Sequence, residues 1–156
     1  MRTLMRVALP CLLVTALGCG GDNTGPNGQT DGDMTAKIDG SSWSSVATFA
    51  TRNATNAGNI VAVSGADTHS ISLAFAFVDT GPGTYAIDGT SATNALLTDG
   101  GKGWVASVVG GSGTITVTTL DATHVVGTFA FSMVANDGSG AAGTKSITQG
   151  TFDIKF

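Results

Sequence analysis

From Met34 onward, apolar residues recur at every second position. In Ser70-Ile71-Ser72-Leu73-Ala74-Phe75-Ala76-Phe77, the side chains of Ile71, Leu73, Phe75 and Phe77 share one face and small residues share the other. That is the period of a strand with one side in a core. Val125, Phe129, Phe131 and Met133 form a second row with Gly127 inside it, and Phe152, Ile154 and Phe156 form a third. Thr114 to Thr118 alternates as cleanly. Ala36-Lys37-Ile38 with Trp43 to Phe49 predicts an opening hairpin turned at Asp39-Gly40.

Turn-forming residues fall between these rows, at Asn56 to Asn59, Asp79 to Gly83, Asp99 to Gly101, Gly110 to Gly113 and Asn136 to Gly143. About eight to ten short strands at this spacing predict an all-β domain, a single antiparallel β-sandwich or flattened barrel. The one segment with room for a helical turn or two is Ser91 to Leu97. Gly-Thr followed by an aromatic residue or Ile recurs at Gly83, Gly113, Gly127 and Gly150. The intervals are irregular, so the motif reads as strand punctuation and not as a structural repeat.

The first 33 residues follow different rules. Met1 to Arg6 carry two basic residues, and Val7 to Leu17 are an apolar run of 11. A spanning helix needs about 20 apolar residues, so this run reads as the core of a signal peptide over residues 1–18. Leu13-Val14-Thr15-Ala16-Leu17-Gly18-Cys19-Gly20 resembles the lipobox of bacterial lipoproteins, with Ala16 where Leu is commonest. The resemblance implies lipidation of Cys19, cleavage just before it, and acylation of the new amino group. An ordinary secretory signal ending in Ala16-Leu17-Gly18 is the alternative. Residues 19–33 then form a lipidated, flexible tether, because Gly20 to Asp33 contain no aliphatic or aromatic residue to bury. Gly20 after the lipid site implies the outer membrane by the familiar Gram-negative sorting pattern. The domain proper is expected at 34–156.

Composition agrees with strands. Charged residues make up 12% of the chain, there are 23 Gly and no Glu, and Thr and Val are abundant. Arg2 and Arg6 belong to the leader, which leaves five basic residues facing 11 acidic ones. A mildly acidic domain with scattered Lys and Arg has no electrostatic footprint for nucleic acid. Both cysteines, Cys11 and Cys19, precede the domain, so its fold is held without a disulfide.

Candidates for chemistry are few. His69 and His124 each follow an Asp-containing turn and are expected to face solvent, without a second metal ligand at typical spacing. A Ser-His-Asp hydrolase lacks its nucleophile elbow, since Gly110-Gly111-Ser112-Gly113 has the wrong spacing. Trp43, Tyr85 and Trp104 are the large aromatics with polar handles, on which a sugar or peptide could stack. Trp104, beside the Asp99-Gly100-Gly101 turn, is the expected surface candidate. The alternative is that all three cap the core.

Ala36-Lys37-Ile38-Asp39-Gly40 with Trp43, Gly83-Thr84-Tyr85, Gly113 to Thr116, Gly127 to Phe131 and Gly150 to Phe156, taken in order, resemble an uncharacterised family of small all-β bacterial lipoproteins, known as a domain of unknown function. The resemblance implies fold and cell-envelope location and supplies no catalytic or binding residue. The expectation is a non-enzymatic lipoprotein, anchored to the membrane through Cys19, whose domain serves binding or envelope structure. No cofactor or metal is called for, and a protein or carbohydrate partner remains open. A β-barrel binding a carbohydrate or small apolar ligand, and a minor hydrolase using His69 or His124, are the alternatives.

Overall fold

The computed structural model describes residues 32–156 apart from Ala57. The signal peptide, Cys19 and most of the tether lie outside the described residues. Eleven strands make up the fold: β1 (Gly32–Ile38), β2 (Ser41–Ser44), β3 (Ala47–Thr55), β4 (Gly58–Ala66), β5 (Ile71–Val78), β6 (Gly83–Ile87), β7 (Asn94–Asp99), β8 (Lys102–Ala106), β9 (Ser112–Leu120), β10 (His124–Ala135) and β11 (Thr144–Lys155). They form one antiparallel sheet, in the order β2-β1-β11-β10-β8-β7-β5-β4-β3, curled into a half-barrel with no helix among the described residues. The barrel branch of the sequence expectation is the one realised, with eleven strands in place of eight to ten.

Two expectations need correction. Gly32 and Asp33, assigned to the tether, pair with Ile154 and Asp153 and begin the first strand. Ser91 to Leu97 holds no helical turn: Asn94–Asp99 is β7, between β5 and β8. Ala95 and Leu97 point into the core while Leu96 lies 39% exposed outside. The outward leucine hid the period-two pattern.

The twelve-residue β10 organises the sheet. Its outer neighbour along the whole length is β11, whereas its other edge is shared, Val125 to Ser132 pairing with β9 and Val134 to Ala135 with β8. The β9 arm carries β6, and the β8 arm leads through β7 to β5. The two arms meet again where the rings of Phe77 and Tyr85 pack at 4.4 Å. On the far side β3 curls back to β1: Thr48 Oγ1 donates to the Gly32 carbonyl at 3.1 Å, and the Ser45 N–H donates to the Met34 carbonyl at 2.9 Å.

Curling brings the inward faces together around phenylalanine. Phe75 lies 5.2 Å from Phe129, 5.2 Å from Phe152 and 6.0 Å from Phe131, centroid to centroid, and Phe129 stacks on Phe131 at 5.3 Å. These separations suit offset and edge-on aromatic packing. The rings fit because glycine stands opposite each ring of β10 and β11. Phe129 pairs across the strands with Gly150, Gly127 with Phe152, and Phe131 with Gly113. A Cβ added at any of the three glycines would run into the ring opposite it. The recurrent Gly-Thr-aromatic motif is therefore one packing device, in which the glycine of one strand makes the seat for the phenylalanine of the next. Gly83 lacks this role, with nothing near its would-be Cβ.

Between inward glycine and inward aromatic, alternation turns the threonine outward. Thr84, Thr128 and Thr151 of the motif join Thr35 and Thr116 in a row across β1, β11, β10, β9 and β6. The hydroxyls of Thr35 and Thr151 are 2.8 Å apart. One interruption is built in: Gln149, at φ 52°, sits in a bulge seen from both neighbouring strands. Ile147 and Phe152 are an odd number of residues apart and would face opposite sides of a regular strand. The extra residue lets both face inward.

Gly150→Ala is expected to lose about 1–3 kcal/mol of stability, the usual cost of overpacking a filled core. Gly40→Ala meets no atom within 4 Å and suffers from its φ of +85° alone, for about 1–2 kcal/mol. Urea denaturation tells the two mechanisms apart. Adding Phe129→Leu, which shrinks the opposing ring, should recover part of the Gly150→Ala loss and none of the Gly40→Ala loss.

Candidate functional site

With the axis of the half-barrel filled, a concavity lies at one end of it. This cleft of about 540 Å³ is walled by the β1–β2 hairpin, the β4–β5 turn, Asp99 at the β7–β8 turn and Lys145 of β11. The hairpin turns on Asp39 (φ 49°) and Gly40 (φ 85°), two successive left-handed residues, as a tight two-residue connection requires. Asp39 ties it to β11: its N–H donates to the Ser146 carbonyl, its Oδ1 accepts from the Ser146 N–H at 2.9 Å, and its Oδ2 lies 3.0 Å from Lys145 Nζ. The Ser146 N–H holds the Asp39 carboxyl below the usual carboxylate range, against partial burial and with help from Lys145.

Asp67 shapes the opposite wall. Its Oδ1 accepts from the N–H groups of His69 at 2.7 Å and Ile71 at 2.9 Å, closing the turn into β5. Partial burial pushes the Asp67 carboxyl up, but the Ile71 and His69 N–H groups, the His69 ring and the Trp43 indole together outweigh it and hold the carboxyl below its ordinary value. Trp43 lines the same cleft and is 6% exposed. Its Nε1 lies near the Asp67 carboxyl but has hydrogen-bond geometry to neither it nor any other group of the described protein. A buried N–H left unpaired costs about 1–3 kcal/mol, so its retention calls for a reason.

The other sequence candidates are placed elsewhere. Trp104, expected at the surface, is 5% exposed. Its Nε1 donates to the Ala142 carbonyl at 3.3 Å, and Lys145 Nζ lies 5.1 Å over its ring. The Asn136–Gly143 loop covers it, because the β8–β10 pairing places Trp104 opposite Ala135. Tyr85 is half-buried at the β5–β6 corner, where its hydroxyl donates to the Gly81 carbonyl and accepts from the Thr80 N–H at 3.2 Å. Both act as caps, and Trp43 alone of the three lines the cleft.

His69 is 82% exposed on the cleft rim, with Nδ1 3.7 Å from Asp67 Oδ2. His124 is half-buried beside β11, with Nε2 3.0 Å from Asp153 Oδ1, in a shallow depression shared with Gly32, Asp33 and Lys155. The two histidines lie at opposite ends of β1, whose six residue steps span about 20 Å. The fold does not bring them together. Among the described residues, no group of three or more His, Cys, Asp or Glu is placed to hold a metal ion.

Asp39, Asp67 and Lys145 escaped sequence reasoning as site residues. Their only local signal was turn chemistry, and Lys145 is joined to the hairpin by strand order alone.

Acid should destabilise the domain in a defined window. Asp88 and Asp121, which accept from backbone and hydroxyl groups of Thr90 and Thr123, are lowered like Asp39 and Asp67. All four have folded values below the unfolded value of about 3.9, so below that pH the unfolded chain binds more protons. Their stabilisation is present above about pH 4–5 and is lost as pH falls through the folded values. The urea midpoint is expected to drop below about pH 4, and less steeply in Asp39→Asn.

Comparison with curated proteins and with solved structures yields no match. A family described as a domain of unknown function (DUF6252) matches residues 30–153, which takes in β1 to β10 and nearly all of β11. By that match, spanning the half-barrel from its first strand to its last, the chain belongs to the DUF6252 family.

Proposed function

We propose that this chain is a bacterial lipoprotein, anchored through Cys19 in the cell envelope at the outer membrane, whose half-barrel is a non-enzymatic binding or envelope-structural domain. The observation that carries the reading is the filled interior. Twenty-three buried apolar residues, the phenylalanine cluster at their centre, occupy the space in which a barrel-type carrier would hold its cargo. Recognition then belongs to the surface and to the cleft at the end of the sheet.

The position of Gly32 supports an orientation. Gly32 lies beside His124 and Lys155, at the end of β1 opposite the cleft. A chain tethered at Cys19 thus presents the cleft about 20 Å beyond the point where the tether joins the domain. Thirteen residue steps separate Cys19 from Gly32, up to about 45 Å when extended. A binding role favours this arrangement, because the cleft is held clear of lipid headgroups.

Ligand binding of a carbohydrate is the second reading, and the cleft with Trp43 favours it over an interior apolar site. A hydrolase is disfavoured, since His69 and His124 share no cleft and each faces one nearby carboxylate.

Replacing Cys19 with Ser and fractionating cells tests the anchor. The native protein is expected in the membrane fraction and the variant in the soluble fraction with altered processing. A variant that stayed membrane-bound and was cut at the same site would refute the lipoprotein reading.

A further inference from the structure

Nε1 of Trp43 is the buried side-chain polar atom that the described protein leaves without a hydrogen-bond partner. The fold satisfies its other indole, giving Trp104 Nε1 the Ala142 carbonyl. The exception stands on the wall of the cleft, next to the one acid whose charge the Trp43 indole supports, Asp67. Oδ1 of Asp67 is committed to two backbone N–H groups, while Oδ2 lies 3.7 Å from His69 Nδ1, beyond hydrogen-bond distance. A donor without a well-formed acceptor therefore shares a cleft wall with a carboxylate that has acceptor capacity to spare.

A group that reaches both must accept from the indole and donate to the carboxylate. A hydroxyl does both. An ammonium has no lone pair to accept the indole N–H, a carboxylate has no proton to give Asp67, and a carboxylate or phosphate alike would be repelled by it and by Asp99. Lys145, the cation of the cleft, is already engaged by Asp39 at 3.0 Å. Ile38, Val46 and Ile71 add an apolar wall suited to the C–H face of a sugar ring. The volume, about 540 Å³, falls within the range of small-ligand sites.

We propose that this cleft binds a neutral saccharide, one hydroxyl of which bridges Trp43 Nε1 and the Asp67 carboxylate. The proposal rests on the reading of the half-barrel as a binding domain and names the ligand class. Nε1 is covered, so the bridging hydroxyl enters as the exposed Thr68–Ser70 turn moves outward. Ser70, at φ 66°, marks that turn as the strained part of the wall.

The test follows the two indole N–H resonances of the ¹⁵N-labelled full chain during titration with glucose, galactose, mannose and N-acetylglucosamine, each to about 50 mM, enough to fill a site of millimolar affinity. Sodium phosphate and methylammonium chloride serve as charged probes. The Trp43 resonance is expected to shift saturably with at least one sugar while that of Trp104 stays fixed, and neither should follow the charged probes. Asp67→Asn keeps the acceptor that closes the turn and removes the charge that the hydroxyl donates to. It should weaken binding at least tenfold, and Trp43→Phe should abolish it, as read by calorimetry. A Trp43 resonance that no sugar moves, one that follows phosphate or methylammonium, or sugar binding unchanged in Asp67→Asn would overturn the proposal. A bound water as the sole occupant gives the first of these results. None of them alters where the Cys19→Ser protein fractionates, so the ligand and the anchor fail separately.

Discussion

The interlock of glycine and phenylalanine across β9, β10 and β11 is the constraint on which the rest of the structure depends. Glycine within a strand is weak, since it contributes no side chain to packing and loses more backbone entropy on ordering than any other residue. Here each such glycine lies under a ring from the neighbouring strand, which covers its backbone and fills the space a side chain would take. Gly127 and Phe152, Phe129 and Gly150, and Phe131 and Gly113 form a reciprocal set, so the strands fit in one register. Sliding β11 by one residue along β10 would bring Gln149 or Thr151 opposite Phe129 in place of Gly150 and turn Phe152 to solvent. A domain without cysteine has its register fixed by this packing.

That constraint decides where function can reside. Rings gathered around Phe75 fill the axis, and the inward faces of all eleven strands contribute no interior charge. Polar groups are pushed to the turns, where Asp39, Asp67, Asp88 and Asp121 each accept backbone N–H groups. At one end of the half-barrel, two of these turn-forming acids stand across a cleft from each other, with Trp43 between the hairpin and the core. The cleft is thus a by-product of turn chemistry that strand order has gathered into one place. The unpaired indole distinguishes it from the shallow depression near His124.

Much of this was legible in the sequence, and the limits are physical. Strands β5, β9 and β10 were visible because their inward residues are large and their outward residues small or polar. The β1–β2 hairpin followed from Asp39-Gly40. β7 was missed because Leu96 is apolar on the solvent side, and the upstream half of β11 was hidden by the bulge at Gln149, which breaks the period. Trp104 looked exposed beside a glycine-rich turn, yet the Asn136–Gly143 loop, 38 residues away at its contact with Ala142, closes over it. Local pattern reports which way a side chain points along its own strand. It does not report which distant loop lies on top of it, or that Asp67, Trp43 and Lys145 face one space.

Native-state hydrogen exchange, resolved by residue, tests most directly whether the glycine–phenylalanine interlock is the centre of stability. On this account the amides of Gly127 to Phe131 and their hydrogen-bonded partners in β9 and β11 exchange only through global unfolding, with the full unfolding free energy, while those of the Thr68–Ser70 turn and the Asn136–Gly143 loop exchange through smaller local openings. Exchange of the β10 and β11 amides at a lower free energy than those of β4 and β5 would contradict it.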